Sequence, residues 1–99
     1  MKFLPKAPTI KILQLLRDSA TPLTYQTISY FLLKLGFKRM SIHNALRRAE
    51  RSRLILSNGK RRLKLYSILP KGLDILHFYE IKKDLDRIQD YLYINPGIG

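Results

Sequence analysis

The sequence predicts a mainly helical fold with one small β-hairpin and a long last helix. Three observations carry this: four stretches with helical apolar spacing, one Asn-Gly between two short β-like runs, and a heptad-spaced tail after Pro70. A chain of 99 residues with 45% apolar content buries roughly 60–65% of its unfolded surface, enough for one core, so residues 1–99 are expected to form a single domain.

The first helix follows Pro5 and Pro8. Ile12, Leu13 and Leu16 recur at helical spacing, with Leu15 beside them, up to about Ser19, and Ala20-Thr21-Pro22 closes the segment. The second helix has the clearest start. Thr24 is placed to cap the amide of Thr27, and Leu23 and Ile28 stand at the staple positions on either side. Ile28, Phe31, Leu32 and Leu35 form the expected buried stripe, and Gly36 ends the helix because glycine tolerates a left-handed exit.

A third helix begins near Arg39 or Ser41 and runs to Arg51 or Ser52, with Ile42, Ala45, Leu46 and Ala49 facing inward. At about 100° per residue, Asn44, Arg47 and Arg51 then project from the opposite side, with His43 and Arg48 on the flanks. Two short helices joined by a tight turn, the second smooth on one side and armed on the other, have the outline of a helix-turn-helix.

Leu54–Ser57 and Lys60–Ile68 read as a hairpin around Asn58-Gly59, a pair suited to the two positive-φ positions of a type I′ turn. Leu63 and Leu65 alternate with Arg62 and Lys64, which predicts one buried and one basic face. Three consecutive cations, Lys60, Arg61 and Arg62, crowd the tip. Pro70 suits the first position of a last helix running to about Tyr93, with Asn95-Pro96-Gly97 as its breaker. Such a helix is about 36 Å long, against a radius of gyration near 13 Å for a domain of this size. Phe78, Ile81, Leu85, Ile88 and Leu92 step by 3, 4, 3 and 4, while Ile75, Leu76 and Tyr79 are left to face the domain. The exposed seam predicts a homodimer; the alternative cover is the first helix of the same chain.

Charge narrows the function. Residues 1–73 carry 16 basic and 2 acidic side chains, and residues 74–99 carry 3 and 5. Between Lys34 and Lys64 eleven cations face one acid, Glu50. Such crowding calls for a polyanion, and a nucleic-acid backbone is the commonest one in a cell. Without cysteine there is no disulfide, thiolate metal site or cysteine nucleophile. His43 and His77 are far apart in sequence and lack a second ligand at metal spacing. Asp84, Asp86 and Asp90 sit among Lys82, Lys83 and Arg87 at ion-pair spacing. Ser57-Asn58-Gly59-Lys60 lacks the spaced glycines of a phosphate loop. No enzyme activity, cofactor, metal or small-molecule ligand is expected. The start of the chain has a basic residue but no apolar stretch behind it, and no apolar run approaches the ~20 residues of a membrane span, so a cytoplasmic location is expected.

Tyr66-Ser67-Ile68-Leu69-Pro70-Lys71-Gly72 resembles the "Y-x-L-T-x-K-G" that ends the wing in the MarR and PadR groups of bacterial and archaeal regulators. Ser41-Ile42-His43-Asn44-Ala45-Leu46-Arg47-Arg48-Ala49-Glu50-Arg51 is similar to their recognition helix. Two positions depart from the pattern: Arg53 stands where a glycine usually precedes the wing, and Leu69 replaces its Thr. The resemblance covers roughly residues 9–93. It implies a winged helix-turn-helix over residues 9–69, a dimerisation helix over residues 70–94, and a homodimeric, sequence-specific regulator of transcription, a repressor, bound to double-stranded DNA. The third helix (Ser41, Asn44, Arg47, Arg48) would enter the major groove, and Lys60, Arg61 and Arg62 would touch the minor groove or phosphates. Arg39, His43, Arg51, Arg53 and Lys64 complete the expected DNA-binding set; Phe78, Ile81, Leu85, Ile88 and Leu92 are the expected dimer contact. RNA binding and a purely protein-binding assembly role are the alternatives. The dearth of stacking aromatics between Lys38 and Lys64 favours duplex DNA over RNA.

Overall fold

The computed structural model describes residues 5–94; the side chains of Arg62 and of residues 89–94 lie outside it. Along the chain come α1 (Ala7–Asp18), β1 (Leu23–Thr24), α2 (Tyr25–Lys34), α3 (Arg39–Arg51), β2 (Ile55–Asn58), a 3₁₀ turn (Arg61–Leu63), β3 (Leu65–Ile68) and α4 (Pro70–Ile94). The strands form one antiparallel sheet in the order β1-β3-β2.

The inner side of α1 is Thr9, Ile10, Ile12, Leu13 and Leu16, and the helix packs against α2, α3, α4 and β3. It is the hub of the core. Thr24 caps α2 as expected, its hydroxyl accepting from the Thr27 amide at 3.2 Å. Just before the cap, Leu23 does more than staple. It pairs with Tyr66 as part of β1, a strand too short for sequence periodicity to mark.

Both helix-turn-helix helices end in the same way. Gly36 (φ 98°) donates to Leu33 O and Phe37 to Leu32 O; Arg53 (φ 64°) donates to Glu50 O and Leu54 to Ala49 O. Each is a Schellman motif, which turns the chain back over its own last turn. This reversal corrects the stripe expected for α2. Ile28 and Leu32 are buried, but Phe31 and Leu35 are exposed. Phe37, folded back by the motif, supplies the next core contact instead. On α3 the four expected residues, Ile42, Ala45, Leu46 and Ala49, are all buried.

The hairpin departs from expectation in three ways. Asn58 does not have the positive φ of a type I′ turn; Gly59 (φ 99°) and Arg61 (φ 52°) do have positive φ. Pairing of Asn58 with Leu65 leaves residues 59–64 as a longer loop, so Lys60 through Lys64 are not strand. That register also turns Tyr66 inward and leaves Leu63 and Leu65 exposed, reversing the expected alternation. A one-residue change of register exchanges the faces of a strand, and here the 3₁₀ turn sets it.

α4 starts at Pro70 and presses its first turn on the hairpin. A Cβ on Gly72 would collide with the Leu54 carbonyl and come within 2.9 Å of Ile68 Cγ1. Leu76 is fully buried, with Ile75 and Tyr79 packed beside it, as expected. One turn on, Arg17 of α1 donates through Nη1 to both Glu80 oxygens at 2.8 and 2.9 Å. Asp18 and Glu80 together hold the Arg17 guanidinium above its ordinary pKa. Beyond that tie the helix leaves the domain, and the molecule measures 59 × 27 × 26 Å. Phe78, Ile81, Leu85 and Ile88 are 44–60% exposed, so α1 does not cover the seam. Leu92 and the breaker at residues 95–97 lie outside the described side chains and residues. Lys82–Asp86 and Arg87–Asp84 form the ion pairs expected of this helix.

Candidate nucleic-acid interface

The two cationic elements share a groove of roughly 940 Å³. One wall is α3, contributing Arg39, His43, Arg47 and Glu50; the other is the wing, contributing Arg61, Lys64 and Tyr66. The start of α2 closes the end with Tyr25 and Gln26. α3 reaches this position because its apolar stripe lies on the core, leaving the polar face turned outward. The wing reaches it because β3 is held between β1 and β2.

Arg47 lies at the crest of α3, lining the groove on one side and, with Asn44, Arg48 and Arg51, a second shallow surface on the other. Ser41, Asn44 and Arg48 also border a smaller depression beside Lys6 and Pro8 at the start of α1. Of the other expected residues, Lys60 is exposed in the wing loop, and Arg53 is exposed at the α3 exit, away from the groove walls. The Arg62 side chain lies outside the described part. Among the described residues, none of the expected DNA-binding cations has a carboxylate within 4.0 Å; the ion pairs are on Arg17, Lys82 and Arg87.

Glu50, the lone acid of this region, accepts a hydrogen bond from Ser57 Oγ and so ties α3 to β2. Burial, then the nearby Glu50 and Tyr25, push the Tyr66 hydroxyl above its ordinary pKa. Tyr66 is only 6% exposed, a wall of the groove more than a stacking surface. Tyr25, Gln26 and Lys6 were not singled out from sequence. The one sequence signal that could have found Gln26 is its place as a polar residue in the first turn of α2.

Among the described residues, no group of three or more His, Cys, Asp or Glu side chains is placed to hold a metal, and no helix is long and apolar enough to cross a membrane. No protein-family model and no curated protein matches the chain. Solved structures do. The PcaV transcriptional regulator from Streptomyces coelicolor superposes with a TM-score of 0.67 at 17% identity, over 90% of this chain and 64% of that one. The protein smu.1704 from Streptococcus mutans UA159 gives 0.67 at 15% identity over 96% and 94%, and transcriptional regulator Tm0710 from Thermotoga maritima gives 0.60 at 20% over 95% and 75%. This chain thus spans about 64% of PcaV's length. The likeness is one of fold: a winged helix-turn-helix carried on a long terminal helix, as the sequence resemblance implied.

Proposed function

We propose that the protein is a transcriptional regulator that binds double-stranded DNA in a sequence-specific way as a homodimer, and that it represses by occupying its site. The observation that carries this is the shared groove, in which the exposed face of α3 and the basic wing open on the same side. α3 is suited in size to the major groove of B-DNA, with the wing beside it on the backbone or in the minor groove.

The residues divide by chemistry. Lys60, Arg61, Arg62, Lys64, Arg39 and Arg53 supply attraction blind to sequence; each phosphate neutralised adds about −0.9 to the log–log salt slope. Asn44 and Arg47 are the base readers, since Asn pairs bidentately with adenine and Arg with guanine. Ser41, His43, Arg48 and Arg51 flank them. The seam of Phe78, Ile81, Leu85, Ile88 and Leu92 joins two copies, setting two α3 helices about 34 Å apart on a pseudo-palindromic site. A cytoplasmic location accompanies this role.

RNA binding is the second reading, favoured by Tyr25 and Tyr66 in the groove wall. Tyr66 is buried and Tyr25 partly buried, which weighs against it, because stacking on splayed bases needs an open ring face. Titration with random duplex DNA, duplex RNA and single strands at two salt concentrations tests the proposal. Salt-sensitive binding that is tightest for duplex DNA supports it. Preference for RNA or single strands, or no salt-sensitive binding at all, overturns it.

A further inference from the structure

We propose that Leu63 is an apolar wedge that enters the minor groove of bound duplex and partly opens a base step, so that the wing senses DNA flexibility as well as charge. This rests on the duplex-binding role proposed above. A single exposed leucine is ordinary on a protein surface. This one is marked by where it stands and how it is held. It is 79% exposed, the highest value among the exposed large apolar residues described, and it takes no part in the core.

The loop that carries it is built stiffly. Leu63 N–H donates to the Lys60 carbonyl at 2.9 Å and Lys64 N–H to the Arg61 carbonyl at 3.2 Å, closing the 3₁₀ turn. Arg61 holds a left-handed backbone (φ 52°), which disfavours any residue with a side chain. At its base, Gly59 leaves no room for a side chain: a Cβ there would lie 2.7 Å from the Leu63 carbonyl oxygen. Backbone strain and a close approach are thus spent on fixing a leucine in solvent. Lys60 and Arg61 precede the leucine and Lys64 follows it in the chain, and Arg61 and Lys64 line the groove that α3 faces. Cations clamped to phosphates on either side of a narrow groove bring the residue between them to the groove floor. Leucine is among the side chains that part base steps there, and pyrimidine–purine steps such as TA yield most easily.

The test uses the full chain and two duplexes of equal length and charge, one of alternating dT and dA and one of dA paired with dT in uniform tracts. Each carries a fluorescent adenine analogue that brightens when unstacked. Wild type is expected to bind the alternating duplex at least about three-fold more tightly than the stiff tract, with brightening on the alternating duplex. Leu63→Ser should lose the preference for the alternating duplex, with the wild-type salt slope and no brightening, while Leu63→Phe should keep the preference. If Leu63→Ser keeps both preference and brightening, or if wild type binds both duplexes with neither, the wedge is refuted while duplex binding stands. Wild type binding neither duplex removes both.

Discussion

Arg53 and Gly36 end successive helices with the same left-handed turn, and only one of them is a glycine. The difference has a measurable consequence. A side chain in that conformation costs about 1–2 kcal/mol, of which glycine's greater freedom in the unfolded chain returns about half. Arg53→Gly is therefore expected to raise stability by about 0.5–1 kcal/mol in urea denaturation while lowering the DNA salt slope by about one. Unchanged stability would show that the α3 exit is unstrained. Arg47 and Arg61 line one groove but are assigned different work. Arg47→Ala should relax preference at one base position, whereas Arg61→Ala should weaken all sequences alike and flatten the salt slope by about one. Identical behaviour in a binding-site selection would undo the division into readers and anchors. The cations themselves were plain in the sequence. Tyr25 and Gln26 were not, because a residue in the first turn of one helix meets the next helix only after the turn between them has closed.

At the scale of elements, the buried stripe of α3 was legible and its ends were placed to within two residues, although neither end carries a side-chain cap or glycine that would fix it. For α2 the same periodicity misassigned Phe31 and Leu35, because the Schellman turn brought Phe37 onto the core in their place. The wing was legible as a hairpin but not in its register, which the 3₁₀ turn between β2 and β3 sets and the long-range pairing of β3 with β1 holds. Its junction with α4 is tight at Gly72. Gly72→Ala should cost roughly 1–3 kcal/mol by forcing the first turn of α4 off the Leu54 carbonyl, and a thermal melt would detect it. Wild-type stability in that variant would mean the junction yields freely. Tyr66 gives a pH signature. Its folded pKa lies above the unfolded value near 10, so the stabilisation it lends is complete below pH 10 and is lost as pH rises through the folded value. Tyr66→Phe should flatten that alkaline fall in denaturation midpoints; an unchanged fall would assign it to other groups.

For the whole molecule, two features pull in different directions. Positive charge gathers on the α3 and wing side, while the outer length of α4 carries an exposed apolar seam among ion pairs. The first attracts a polyanion and the second a like surface. A dimer through the seam would cover Phe78, Ile81, Leu85 and Ile88 and place two grooves to face one duplex. Leu85→Asp should give a monomer in sedimentation at micromolar concentration, with wild type a dimer, and should weaken binding to a two-half-site duplex far more than to a single half-site. A monomeric wild type would end the dimer proposal.

By itself the sequence determined the helices, the segregation of charge and the unpaired seam, because each depends on the spacing of residues within a few turns. Tertiary structure alone decided which side of α2 meets the core, which strand face looks inward, and that the wing cations come to lie across a groove from Arg39, His43 and Arg47. Those outcomes depend on contacts between residues tens of positions apart, whose pairing is set by the closure of the sheet and the packing around α1.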